Sequence, residues 1–326
     1  MFLKDIFTSR KPVIAKQLPF TIMLLNDLQV VNVTGSNVSK YLQGQVTIDV
    51  SLLDKQEHIL CGHCNAKGKM WCDLRLFHRL KGFSYIIRRD VSHTQIIELK
   101  KYAIFSNIVI SIDNNAIILG LAGFEVTHNL LKYFFSQLPN STKTVITYKE
   151  TTILYLTQPI ERYLLITSIK TAIILTNFFK DSAYFNDHQQ WIALNIEAGY
   201  PNFHLINSGK FTPQATNIQA FNGICFKKGC YIGQEIIART QYRNANKKSL
   251  YWLQGSSTRI PQPGESLELF LDKEWRRNGT VFDAIQLANG SISIQAILNN
   301  TLIFNNIIRV CNDEGSILKI QNYDTH

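Results

Sequence analysis

The segment from Phe226 to Thr240, FKKGCYIGQEIIART, places a thiol, two ammonium groups and several turn-forming glycines within a few positions. Lys227 and Lys228 precede Gly229 and Cys230, and Gly233-Gln234-Glu235 then leads into an apolar, helix-like run. A cysteine at the start of that helix would meet free amide groups and the positive end of the helix dipole, which favour thiolate. Lys228 would add a nearby cation. Such a thiolate is nucleophilic, redox-active and able to ligate metal. The same residues suit a tight turn around a buried cysteine, and chemistry alone weighs the two readings equally.

Two other groups carry chemical potential. Cys61-Gly62-His63-Cys64 has the C-x-x-C spacing of a metal site. A structural zinc needs four ligands, and no second pair of the usual spacing follows, so these are expected to be hairpin residues with no metal bound. Trp191 and Glu197 offer an aromatic face and a carboxylate within one segment. A core tryptophan and a capped or salt-bridged glutamate are the ordinary alternatives.

The elements that must position these groups are legible in part. Gln29 to Val33 reads as a strand, and Ser36 is expected to cap a short helix over 37–43 that stops at Gly44. Residues 58–79 read as a hairpin turning at Asn65-Ala66-Lys67-Gly68. A strand at Ser84 to Arg88 follows, and a capping box at Ser92-His93-Thr94-Gln95 opens a helix. Strands at Asn107 to Ile112 and Ala116 to Leu121 precede a helix that Thr127 caps, carrying Leu130, Leu131, Phe134 and Phe135. Strands at Thr152 to Leu156 and Tyr163 to Thr167 lead to a helix near Lys170 to Phe179. The alternation is that of split βαβ units in an α+β protein. After about residue 245 helical periodicity stops. Strands at Leu250 to Gln254, Ser266 to Leu271, Thr280 to Ile285, Ser291 to Leu298, Thr301 to Phe304 and Ile307 to Val310, broken by Pro263-Gly264, Asn278-Gly279, Asn289-Gly290 and Glu314-Gly315, predict a small β-barrel.

With 326 residues the chain is too long for one ordinary core. The division expected is 1–244 for the α+β region and 245–326 for the barrel. Basic residues exceed acidic ones, 34 to 24, for a net charge of +10. That balance attracts polyanions such as RNA, but pairs such as Arg88-Arg89, Lys227-Lys228 and Lys247-Lys248 are scattered, so solvated faces are the expectation. The six cysteines form no dense disulfide framework. The first residues lack the apolar core of a signal peptide, and Gln158, Pro159, Glu161, Arg162 and Lys170 interrupt the most apolar stretch. A cytoplasmic location with free thiols is expected.

Lys228-Gly229-Cys230-Tyr231-Ile232-Gly233-Gln234-Glu235 resembles the K-G-C-Y-x-G-Q-E signature of the YgfZ folate-binding proteins, which are related to the aminomethyltransferase (T-protein) of glycine cleavage. Residues 41–50, YLQGQVTIDV, 63–70, HCNAKGKM, 191–201, WIALNIEAGYP, and 211–217, FTPQATN, resemble further family motifs, so the likeness spans nearly the whole chain. It implies an aminomethyltransferase-like ring of three domains, two of them interleaved ferredoxin-like α/β parts and the third a C-terminal β-barrel.

The resemblance also implies a tetrahydrofolate or other reduced-folate ligand. Leu28, Trp191, Glu197, Tyr231 and Gln234 would contact it, with Cys230 as functional thiol and Lys228 as its electrostatic helper. A pterin is flat, so Trp191 would stack on it, and its donor edge would meet the Glu197 carboxylate. Two departures stand out. Leu28 replaces an aromatic residue that family members can carry, and Cys72-Asp73 and Asn195 replace an acidic pair and an arginine of the T-protein, which argues against aminomethyl transfer. The implied function is that of an accessory protein for tRNA methylthiolation and for assembly or repair of iron–sulfur enzymes, with such enzymes as partners. The alternatives are a one-carbon transferase with an unknown acceptor and a direct tRNA-binding module.

Overall fold

The structure is a computed structural model that describes residues 6–103, 106–134, 137–300 and 307–323. Among the described residues the frame is two sheets and a barrel. The first sheet has six strands: β1 (Thr21–Leu24), β7 (Ile117–Ala122), β8 (Val145–Tyr148), β9 (Thr151–Leu156), β10 (Arg162–Thr167) and β11 (Tyr184–Asp187), in the order β11-β1-β7-β10-β9-β8. The second has five: β2 (Leu28–Gly35), β3 (His58–Cys64), β4 (Met70–Arg79), β5 (Gly82–Arg88) and β6 (Ile108–Ile112), in the order β3-β4-β5-β2-β6. β1 belongs to the first sheet, β2 to β6 to the second and β7 to β11 to the first again, which is the interleaving expected.

Period-two alternation shows how the first sheet is buried on both faces. Ile22, Leu24, Leu119, Leu121, Tyr163 and Leu165 pack beneath α3 (Val126–Phe134) and α4 (Ile169–Phe178), using Val126, Leu130, Phe134, Ala172 and Leu175. The intervening Met23, Leu25, Ile118, Leu164 and Ile166 face the opposite way, into a core shared with the second sheet. That core also takes residues of α1 (Val38–Gln43), α2 (Arg89–Lys100) and α5 (His188–Ala198).

Helix α5 joins all three parts. Its Trp191, Leu194 and Ala198 enter the shared core, while Ile192, Ala193 and Ile196 pack on Ile285 and Leu287. These two belong to a closed barrel of β12 (Lys248–Ser256), β13 (Ser266–Leu271), β14 (Glu274–Gln286), β15 (Ile292–Asn299), β16 (Ile308–Val310) and β17 (Ile317–Gln321) and its loops. The Asp187 side chain caps the first turn of α5 by accepting from Gln189 N, and Gly199, at φ +72°, ends it.

Several helix starts differ from expectation. Asn37, not Ser36, precedes α1, with no side-chain cap. Helix α2 begins at Arg89, ahead of the predicted capping box, and the Ser92 hydroxyl donates back to Arg89 O. Thr127 lies inside α3 and donates to Glu161 rather than capping the helix. The predicted strand at Thr301 to Phe304, and Phe135, lie outside the described residues.

Candidate functional site

The signature segment forms a buckle. Lys228 is 6% exposed, and its Nζ donates to Gln43 O, Val46 O and Ile48 O at 2.7, 2.7 and 2.6 Å. Burial draws its pKa down to about 8, against the opposing pull of Cys61, Asp49 and Cys225. The ammonium also lies 4.8 Å from the centre of the buried Tyr231 ring. Ile232 N donates to Gly44 O, and Gln234 Nε2 donates to Lys228 O. Gly233 has φ +84°, and a Cβ there would fall 2.5 Å from Asn65 O in the β3–β4 turn. Lys228 and Ile232 thus bind the 41–50 motif, Gly233 packs on the hairpin turn, and Tyr231 and Gln234 brace Lys228.

Cys230 is exposed on this buckle. The helix that follows, α6 (Gln234–Tyr242), starts from Gly233, so the expectation that Cys230 opens it is corrected. The intervening Tyr231 and Ile232 are committed to the buckle, which delays the helix. Cys61, Cys64 and Cys72 are buried, and burial lifts the Cys61 thiol to about 12 and raises the other two as well. Burial lowers His63 to about 4, leaving it neutral beside the Gln95 amide.

A cleft opens where the two sheets meet α5. Its narrow inner part, about 60 Å³, is lined by Leu28, Asp73, Arg88, Trp191 and Asn195 among others. A wider outer part, about 600 Å³, has Ala198, Phe221 and Tyr323 in its walls. Leu60, Arg75 and Tyr200 line both. The outer volume lies within the range of small-molecule sites.

The elements explain these walls. Asp73 and Arg75 are two apart on β4 and share a face, as Trp191 and Asn195 do four apart on α5. Burial raises the Asp73 carboxyl to about 6 although Arg75 and Arg88 pull it down. Arg75 Nη1 lies 3.2 Å from His58 Nδ1, and His58 Nε2 lies 2.7 Å from Tyr155 O. Burial and Arg75 hold His58 near 3, so the ring is neutral, accepting from Arg75 and donating to Tyr155. Arg75 also stands over Tyr200, 4.9 Å from its centre, and Tyr200 stacks on Phe221 at 4.0 Å.

Behind the inner wall stands Arg162, on the same face of β10 as Leu164 and fully buried. Its Nη1 donates to Asn195 Oδ1 at 2.8 Å, and its guanidinium lies 4.4 Å from the centre of Trp191. Its Nε and Nη2 have no partner among the described residues. Burial lowers it to about 9, still protonated at neutral pH. One face of Trp191 is therefore taken by Arg162.

Of the sequence-predicted residues, the cleft gathers Leu28 and Trp191. Glu197 is not among its lining residues; Glu197 Oε2 accepts from Ala15 N at 2.9 Å and ties the N-terminal segment to α5. Tyr231 and Gln234 sit in the buckle, away from the lining of either part. Sequence reasoning missed Arg162, Arg75 and Tyr200, and read Asp73 only as a departure from the T-protein. A signal existed for Arg162, a charge at an inward position of an apolar strand.

Residues 246–313 match the family model described as "YgfZ, beta-barrel domain". A "tRNA-modifying protein YgfZ" of Serratia proteamaculans is 48% identical over 97% of this chain and 95% of its own length. The protein of the same name from Photorhabdus laumondii is 48% identical over 98% of this chain and 97% of its own. Among solved structures, the glycine cleavage system aminomethyltransferase T of Bartonella henselae superposes with a TM-score of 0.76, covering 94% of this chain and 86% of that one. At 14% identity this shows the shared aminomethyltransferase fold.

Proposed function

Because the chain belongs to the YgfZ family, we propose that it binds a reduced folate in the cleft beside α5 and serves tRNA modification as an accessory protein. The observation that carries this reading is the half-buried carboxyl of Asp73 sharing one narrow cavity with Trp191 and opening onto an aromatic, Arg75-bearing cleft. The donor set fits a folate. Asp73 would accept from the amino edge of a pterin, the part of the buried Trp191 that lines the inner cavity would contact the ring, Tyr200 and Phe221 offer apolar walls, and Arg75 suits the glutamate carboxylates. Arg162 keeps Trp191 and Asn195 in place from behind. A bound reduced folate supplies a one-carbon carrier or a reductant.

Cys230 is exposed and is not among the cleft residues, so its thiol is offered to a macromolecular client rather than to the folate. That division favours an accessory protein acting on iron–sulfur enzymes, including those that methylthiolate tRNA, over an aminomethyltransferase. On this reading the work is cytoplasmic. The test is complementation. In a bacterium lacking its own YgfZ, the chain should restore methylthiolated nucleosides in tRNA, read by mass spectrometry. A folded, expressed chain that restores none contradicts the proposal.

A further inference from the structure

Basic residues that lie far apart in sequence converge around α6. The turn of the β3–β4 hairpin rests on the start of this helix: a Cβ on Gly68 would lie 3.0 Å from Ile236 Cβ. The turn carries exposed Lys67 and half-buried Lys69. Lys69 loses proton affinity through burial and then through Lys248, which locates the start of β12 beside the turn. Exposed Lys247 and Lys248 complete that side.

The outer stripe of α6 is Glu235, Arg239, Tyr242 and Arg243, all exposed at helical spacing, with Tyr242 at 76%. None of Lys67, Lys69, Arg239, Arg243, Lys247 and Lys248 forms an ion pair among the described residues. Glu235 is the sole acidic residue between Tyr200 and Gly264. Gathering like charges without counter-charges raises the free energy of the bare surface, and a polyanion relieves it.

We propose that this face, formed by α6, the β3–β4 turn and the start of β12, is a direct RNA-binding surface. The cations contact the phosphate backbone, and Tyr242, flanked by Arg239 and Arg243, stacks on an unpaired base. An acidic protein would satisfy the lysines, but it has less use for an exposed aromatic ring between two guanidinium groups. The Gly233 turn ties this face to the buckle that presents Cys230, so an RNA held here lies close to the exposed thiol's segment. The proposal takes from the preceding section only the choice of tRNA as probe. It needs no folate.

The experiment is fluorescence anisotropy of labelled, deacylated tRNA with the full chain, without folate, between roughly 50 and 200 mM salt. Affinity should fall linearly on a log–log plot. Arg239→Ala/Arg243→Ala/Lys248→Ala should flatten the slope by about 2–3, at roughly 0.7–0.9 per lost phosphate contact, and weaken binding at least about tenfold at 100 mM salt. Tyr242→Ala should weaken it about fivefold or more with the slope kept. Should the triple variant melt early, Arg239→Gln/Arg243→Gln keeps the helix propensity and should flatten the slope by about 1.4–1.8. Removing as many cations elsewhere, as Lys100→Ala/Lys143→Ala/Lys170→Ala, should leave the slope unchanged. Absence of binding at 50 mM salt overturns the proposal, as does equal weakening by the control variant. So does displacement of the tRNA by polyglutamate at equal charge concentration, which would mark the face as a site for acidic protein. Folate titration is unaffected by any of these outcomes, so the two readings fail separately.

Discussion

Replacing Asp73 by Asn should make the ligand-free protein more stable and its hold on folate weaker. The carboxyl stands in the wall of the inner cavity, and burial lifts its pKa from 3.8 to about 6 despite the opposing pull of Arg75 and Arg88. Holding it ionised above pH 7 corresponds to roughly 3 kcal/mol against folding. The cavity opens to the cleft, so about 1–2 kcal/mol of this should be realised. A folded-state value above the unfolded one means that the stability is fully present below 3.8 and lost as pH rises through about 6. Asn is neutral throughout. The variant should therefore melt with the parent at pH 4 and roughly 2–6 °C above it at pH 8, by differential scanning fluorimetry. Tetrahydrofolate binding at pH 8 should weaken about tenfold or more, because the charge-assisted acceptor is gone. Equal or lower melting of the variant at pH 8, or unaltered folate affinity, would refute the assignment of Asp73 as a strained carboxylate held for a ligand.

Three further outcomes follow from the geometry. Lys228→Met strands three carbonyls that now accept from Nζ, and should cost about 3 kcal/mol or more in urea unfolding, whereas parental stability in that variant would contradict the buckle. Cys230→Ser should stay within about 0.5 kcal/mol of the parent yet fail in complementation; in the native protein, iodoacetamide should modify Cys230 while Cys61, Cys64 and Cys72 react only after unfolding. His204 bridges Asp90 at 3.3 Å and Asp283 at 3.1 Å; burial lowers its pKa, but the two carboxylates outweigh it and lift the value to about 9. His204→Gln should cost about 2 kcal/mol near pH 6, and the difference should vanish as pH rises through about 9, a pH-independent difference being the contrary result.

The parts legible in the sequence were those with a local signal. The β3–β4 hairpin, β5 and the barrel strands β13 and β15 carry turn glycines, β9 and β10 are short apolar runs buried along their whole length, and Gly68 takes φ +66° in the predicted turn. Helix α5 was read as a motif but not as a helix. It is buried on the side of the shared core and on the side of the barrel, so its sequence shows no single apolar stripe. Strands β1 and β11 were missed because their pairing, Thr21 with Tyr184 through Leu24 with Asp187, joins segments far apart in the chain.

The candidate site divides along the same line. Trp191 and Leu28 were found through family motifs. Asp73 and Arg75 look like the outer residues of a half-exposed strand until α5 is laid across them. Lys228 looked like the helper of a thiol. Its three carbonyl acceptors lie at Gln43, Val46 and Ile48, far away in sequence, and only the fold brings them to it.

Folate binding in the cleft beside α5 is tested most directly by isothermal titration of the full chain with tetrahydrofolate under reducing, anaerobic conditions. The prediction is one site per chain, with affinity reduced by about 1–3 kcal/mol in Trp191→Ala, the scale of one lost stacking surface. No heat at millimolar tetrahydrofolate, or equal affinity in a folded Trp191→Ala variant, would contradict the account.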